Sequence, residues 1–230
     1  HRTTEGNRMS TTTAITTTTT TQITCWLDFV SPSAWLAFEQ APRTLEGLSY
    51  QLRYKPVLLG ALLKQHANPG PAGIVPKREW TYRHATWLGH AQGCGLQMPA
   101  QHPFNPLPLL RLALSCSDDG CINRFTADAI FRHVWLGGAD AVDPARIAAL
   151  KDTLSEQIRP DADDQAKAFL RANTDEANAL GVFGVPMFEV DGKLFWGQDS
   201  LPMLRAYLDG DAWFDTGAWD GIAQVKSGLG

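Results

Sequence analysis

The 230-residue chain carries four cysteines, Cys25, Cys94, Cys116 and Cys121, but no Cys-x-x-Cys pair among them. A dithiol redox centre of that spacing is therefore excluded. No apolar run approaches the ~18 residues a membrane helix needs, and no basic stripe suits a nucleic acid. With 19% charged residues and a formal net charge of −4, neither a membrane nor a polyanion is expected as a partner. The N-terminal region lacks the apolar stretch of a secretory signal and is not arginine-rich like a mitochondrial presequence, so cytoplasm is the expected location. There, free buried thiols are the expected cysteine state, with a Cys116–Cys121 disulfide as the alternative. Large apolar residues are also scarce at the start. Thr11 to Thr21 is threonine broken only by Ala14 and Ile15, too little to offset the entropy of ordering, so residues 1–21 read as a disordered tail.

The chain beyond this tail is patterned. Ile23, Cys25, Leu27 and Phe29 alternate as a strand. Ser31-Pro32 then supplies a favoured N-cap and first helical residue, and Trp35, Phe38, Pro42 and Leu45 recur at helical spacing to an end near Gly47. Tyr50, Leu52 and Tyr54 alternate with polar residues as a second strand, stopping at Pro56. Helical patterns occupy 58–65, 107–115, 123–135, 144–154 and 163–180. Trp80, His84, Trp87, Leu88 and Ala91 share one helical face, and residues 68–73 must be a loop. Asp191-Gly192 then joins two short strands as a hairpin, and Asp199 is placed to cap a last helix carrying Leu201, Leu204 and Leu208.

This order, β-α-β, helices, β-β-α, predicts an α/β protein with a thioredoxin-like core and a large all-helical insertion. The core would comprise 22–57 and 181–210 and the insertion 58–180. A loose C-terminal tail would cover 211–230.

Three segments carry a family resemblance: Asp28-Phe-Val-Ser-Pro-Ser-Ala-Trp-Leu-Ala37, Asn68-Pro-Gly-Pro-Ala-Gly-Ile-Val-Pro-Lys77, and Phe183-Gly-Val-Pro-Met187 with Trp196-Gly-Gln-Asp199. They resemble 2-hydroxychromene-2-carboxylate isomerases and kappa-class glutathione transferases, and so imply the DsbA-like branch of the thioredoxin fold. The resemblance implies glutathione as cofactor, Ser31 beside its sulfur as the catalytic residue, and Asn68 and Lys77 on the tripeptide. It further implies Val185, before a cis-Pro186, pairing by its backbone with the cysteinyl unit, and Gln198 and Asp199 holding the γ-glutamyl end. A small aromatic carboxylate would be the second partner, and because relatives often dimerise, a homodimer is expected. Ser33, Ala34 and Trp35 depart from the family in the positions that shape the second-substrate pocket.

The chemistry is consistent with those residue types. A thiolate is the nucleophile, and a serine hydroxyl together with a helix N-terminus can favour the anion. Serine cannot attack a disulfide, so the reacting sulfur must arrive with a ligand. Taken alone, Ser31 reads as a helix cap, Asn68 as a turn residue, Asp199 as a cap, and Lys77 or Arg78 as a solvated charge or a carboxylate partner. Trp80 and Trp87 read as core before pocket, while Trp196 is a candidate for an aromatic wall. His84 and His90 lack metal-pair spacing, so no metal is expected. The implied activity is glutathione-dependent isomerisation of 2-hydroxychromene-2-carboxylate. A kappa-like transferase and a non-catalytic DsbA-like thiol-peptide binding protein are the alternatives.

Overall fold

The computed structural model describes residues 19–229. The tail expected over 1–21 lies outside the described residues as far as residue 18. Its last residue, Thr21, instead opens the first strand.

In chain order the elements are β1 (Thr21–Leu27), α1 (Pro32–Thr44), β2 (Tyr50–Pro56), α2 (Leu59–Gln65), α3 (Val75–Gln92), α4 (Leu107–Ser115) and α5 (Arg124–Trp135). Then come α6 (Pro144–Thr153), α7 (Ala162–Leu180), β3 (Met187–Val190), β4 (Lys193–Trp196), α8 (Leu201–Leu208) and the short α9 (Ala218–Gly221). The sheet order is β2-β1-β3-β4. β1 and β2 run parallel, with Thr21 opposite Tyr50 and Leu27 opposite Pro56, while β3 is antiparallel to both β1 and β4. This is the DsbA-like thioredoxin architecture. Asp191 and Gly192 take φ of +51° and +76°, the left-handed pair that a tight two-residue hairpin requires.

β1 is covered on both faces, which the alternation of its sequence only half reveals. Ile23, Cys25, Leu27 and Phe29 join a core with Trp35, Phe38, Phe131 and Trp135. Trp26 points the other way, into a smaller cluster with Val57, Leu62, Ala177, Val182 and Met187. The larger core is fastened by polar bonds as well as by burial. Trp135 Nε1 donates to the Phe29 carbonyl at 3.1 Å, and the rings of Phe29 and Phe131 meet edge-on at 4.9 Å. Arg124 lies over the Phe38 ring at 4.1 Å and donates to Tyr54 Oη at 2.8 Å. On the other side, buried Asn173 of α7 donates to the carbonyls of both Pro56 and Gly120, each at 2.9 Å, so it ties β2 to the helical region.

Three expectations are corrected. α1 ends at Thr44 with Leu45 as its cap, because Leu45 is buried in the core while Gly47 turns away at φ +83°. Trp80 and Trp87 are not core: they are 63% and 60% exposed, and His84 stacks between them at 5.7 and 6.5 Å. The segment after residue 211 is docked as far as Trp219, since Phe214 is buried and Trp219 lies 5.4 Å from the Phe195 ring, whereas Ile222, Val225 and Leu229 beyond it are exposed. All four thiols are free, and only Cys25 is fully buried.

Gly89 marks where the chain leaving α3 folds back across its own helix. A Cβ there would come 2.4 Å from Leu96 Cβ and 2.9 Å from its backbone nitrogen. Gly89→Ala is therefore expected to destabilise by roughly 1–3 kcal/mol through overpacking, read as a lowered urea midpoint. An unchanged midpoint would mean that this crossing yields freely.

Candidate functional site

The site forms where β1 ends. Ser31 adopts an extended backbone, with φ −92° and ψ 117°, and its Oγ accepts from Ala34 N at 3.1 Å, the bond of an N-cap. Pro32 follows at the first helical position. The hydroxyl also faces the loop before β3, where it donates over a long 3.4 Å to the Val185 carbonyl. That loop contains the cis peptide Val185–Pro186, and the Pro186 carbonyl accepts from Gly197 N at 2.9 Å. Thus the cap residue of α1 and the proline loop stand face to face, although 154 residues separate them.

Around this pair lies a cleft of about 540 Å³, mostly apolar, bounded by Ser31, Asn68, Arg78, Val185, Trp196 and Asp199 among others. Its size suits a small ligand. Asn68 accepts from Gly70 N at 2.9 Å and so closes the turn that brings 68–72 to the cleft. Phe183 and Trp196 meet edge-on at 5.0 Å, each more than a third exposed, and form an aromatic rim.

Of the residues singled out from the sequence, Ser31, Asn68, Val185 and Asp199 line the cleft, whereas Lys77 does not. Lys77 is exposed on α3, and its neighbour Arg78, half-buried, faces the cleft instead. Gln198 sits behind the wall: its backbone N donates to Ser33 Oγ at 3.3 Å, and its side chain receives Gln92 Nε2 at 3.4 Å. Pro186 is buried beneath Val185. Asp199 does not cap α8, whose N-cap is Ser200 with no side-chain bond. Asp199 lies in the single turn 198–200, where its Oδ1 would come 2.5 Å from a Cβ on Gly197. With φ at +88° as well, only glycine fits at position 197.

Three further residues went unmarked in the sequence. Asp28 is fully buried, and its carboxylate accepts from Val30 N at 3.2 Å and from Leu59 N at 2.9 Å. It thereby holds the turn before Ser31 and caps α2, whose own N-cap, Leu58, has no side chain able to do so. Burial pushes its pKa up to about 7, against the pull of the amides of Leu59, Val30 and Phe29. His102 and Tyr82 also line the cleft. Only the prolines at 103 and 106 signalled that the His102 loop was special, and the His102–Pro103 bond is cis. Among the described residues no group of three His, Cys, Asp or Glu is placed to hold a metal, and no helix is long and apolar enough to cross a membrane.

Chemically, this arrangement offers an apolar cleft with one hydroxyl at a helix N-terminus, one backbone edge beside a cis-proline and one cation. It is suited to a peptide-like anion bearing a reactive atom that needs hydrogen-bond donors.

Comparison with known proteins agrees with this fold. The 2-hydroxychromene-2-carboxylate isomerase of Sphingobium xenophagum is 26% identical over 201 residues, covering 80% of this chain and 95% of the relative. Glutathione S-transferase kappa 1 of Homo sapiens is 25% identical over 209 residues, covering 81% and 89%. A solved 2-hydroxychromene-2-carboxylate isomerase superposes with a TM-score of 0.69 at 19% identity, over 86% of this chain and 98% of that one. Residues 22–209 match the profile of the DSBA-like thioredoxin domain, and the chain belongs to that family.

Proposed function

We propose that the protein is a glutathione-dependent isomerase that interconverts 2-hydroxychromene-2-carboxylate and trans-o-hydroxybenzylidenepyruvate. The observation that carries this reading is Ser31 at the start of α1, facing Val185 and the cis-proline across one cleft. Both relatives fit it, one being an isomerase acting on this chromene and the other a glutathione transferase.

In this reading the cysteinyl unit pairs with the Val185 backbone, the Ser31 hydroxyl turns from the Val185 carbonyl to the sulfur, and the α1 dipole favours the thiolate. The thiolate adds to the conjugated carbon, the former double bond rotates, and elimination returns the thiol. The protein orients the two reactants and supports the charge of the adduct. Asn68 and Asp199 hold the ends of the tripeptide, with Gln198 supporting the latter turn from behind. Arg78, rather than exposed Lys77, takes the carboxylate partner's place.

Arg78→Ala should therefore raise the KM for glutathione roughly tenfold, about 1.4 kcal/mol, close to the lower end for a hydrogen bond to a charged group. Lys77→Ala should change it less than about twofold, as befits an exposed charge. Equal effects of the two substitutions in steady-state kinetics would contradict the assignment.

The reaction itself is tested by incubating protein and chromene with substoichiometric glutathione. Equilibration that leaves the thiol titre unchanged is the expected result. Consumption of glutathione would make the protein a kappa-like transferase, and binding without turnover a non-catalytic thiol-peptide protein.

A further inference from the structure

Tyr82 and His102, which the thiol site described above does not use, line the same cleft. His102 Nε2 lies 2.6 Å from the Val30 carbonyl. A carbonyl only accepts, so Nε2 carries the hydrogen and, in the neutral ring, Nδ1 is the acceptor. Tyr82 Oη stands 2.6 Å from Nδ1 and 2.8 Å from the His102 carbonyl. Both are acceptors, so the one hydroxyl hydrogen of Tyr82 is committed to His102, and the lone pairs on its oxygen are left for a donor arriving in the cleft. Burial lowers the pKa of the ring, against the pull of the Val30 carbonyl, so that a second proton on Nδ1 is held only in passing. The other charged side chains lining the cleft are Arg78, one helical turn before Tyr82, and Asp199.

We propose that Tyr82 and His102 form a proton relay that accepts the hydrogen of a phenolic or enolic hydroxyl on the second substrate. The inference rests on the reading that this substrate is a hydroxyaryl carbonyl compound. In the ring-closing direction, the phenol O–H bond breaks and its proton passes to Tyr82 Oη as the tyrosine proton passes to His102 Nδ1. The phenolate oxygen bonds to the keto carbon, and the carbonyl π pair moves onto its oxygen. That oxygen takes a proton from Tyr82 Oη, and His102 Nδ1 returns its proton to the tyrosine. No proton or electron is gained or lost overall, and ring opening is the same path reversed. Because Nε2–H keeps its bond to the carbonyl before Ser31 throughout, the relay is anchored to the turn that presents the serine.

The probe for this site is 4-nitrophenol, whose ionisation is visible in its colour and which needs neither glutathione nor turnover. Bound to the unaltered protein, it should ionise at a pH about one unit above that of the free phenol, a tenfold shift, because the bond to Tyr82 Oη favours the protonated phenol and leaves no hydrogen there to hold the anion. Tyr82→Phe should abolish the shift while glutathione affinity stays unchanged, and should lower kcat for isomerisation roughly 100-fold. His102→Gln, with its fold checked by circular dichroism, should do the same. A bound probe that titrates like the free phenol, a probe that does not bind, or a Tyr82→Phe protein that behaves like the parent would each overturn the relay. Failure of the isomerase reading appears separately, as absent chromene turnover.

Discussion

Ser31→Ala is expected to lower kcat/KM for glutathione-dependent turnover roughly 100-fold, the usual scale for removing one donor aimed at developing negative charge. Stability should fall much less, by about 1 kcal/mol, because the lost Ala34 amide bond is that of a single helix cap. The disparity separates two roles that the geometry gives one atom. As a cap, Oγ accepts from Ala34; as a donor, it reaches across to the proline loop at Val185, where the sulfur would lie. Urea unfolding and steady-state kinetics on the same preparation measure both quantities. A variant that loses stability but keeps full turnover would leave Ser31 a cap and nothing more.

Asp28→Asn should change how stability depends on pH. The native carboxyl titrates near 7, whereas an unfolded one titrates near 3.9. Between those values the folded chain holds a proton that the unfolded chain releases, so stability falls as pH rises through this window, and the penalty is complete above about 7. A shift of that size is on the order of 4 kcal/mol. Asparagine cannot ionise, but it presents one oxygen to two amides, Val30 N and Leu59 N, and so leaves one donor unmatched at about 1–3 kcal/mol. At pH 4.5 the variant should therefore be the less stable protein. At pH 8 the difference should shrink or reverse. Parallel stability curves from urea midpoints at several pH values would show that Asp28 is not the group responsible.

The parts of this molecule that local pattern controls were readable from the sequence. The two-residue turn at Asp191-Gly192, the Ser31-Pro32 helix start and the alternation of Tyr50, Leu52 and Tyr54 each state a backbone geometry within a few residues. The order of those elements was sufficient for the sheet topology. The illegible features depend on what lies opposite in space. Trp80 and Trp87 have core-like spacing, yet among the described residues both lie exposed on their face of α3. Arg78 and Lys77 are adjacent in sequence, and only the direction of α3 decides which of them faces the cleft. Asp28 resembles a surface acid until α2 arrives with an uncapped amide. His102 belongs to no periodic pattern, and its partners, Val30 and Tyr82, are 72 and 20 residues away.

Whether this cleft binds glutathione and stabilises its thiolate at Ser31 can be read from the ultraviolet thiolate band of bound glutathione followed against pH. The bound thiol should ionise well below about 8.5, the ordinary range for a free thiol, and return towards that value in Ser31→Ala. Bound glutathione that titrates like the free tripeptide, in parent and variant alike, would contradict that expectation.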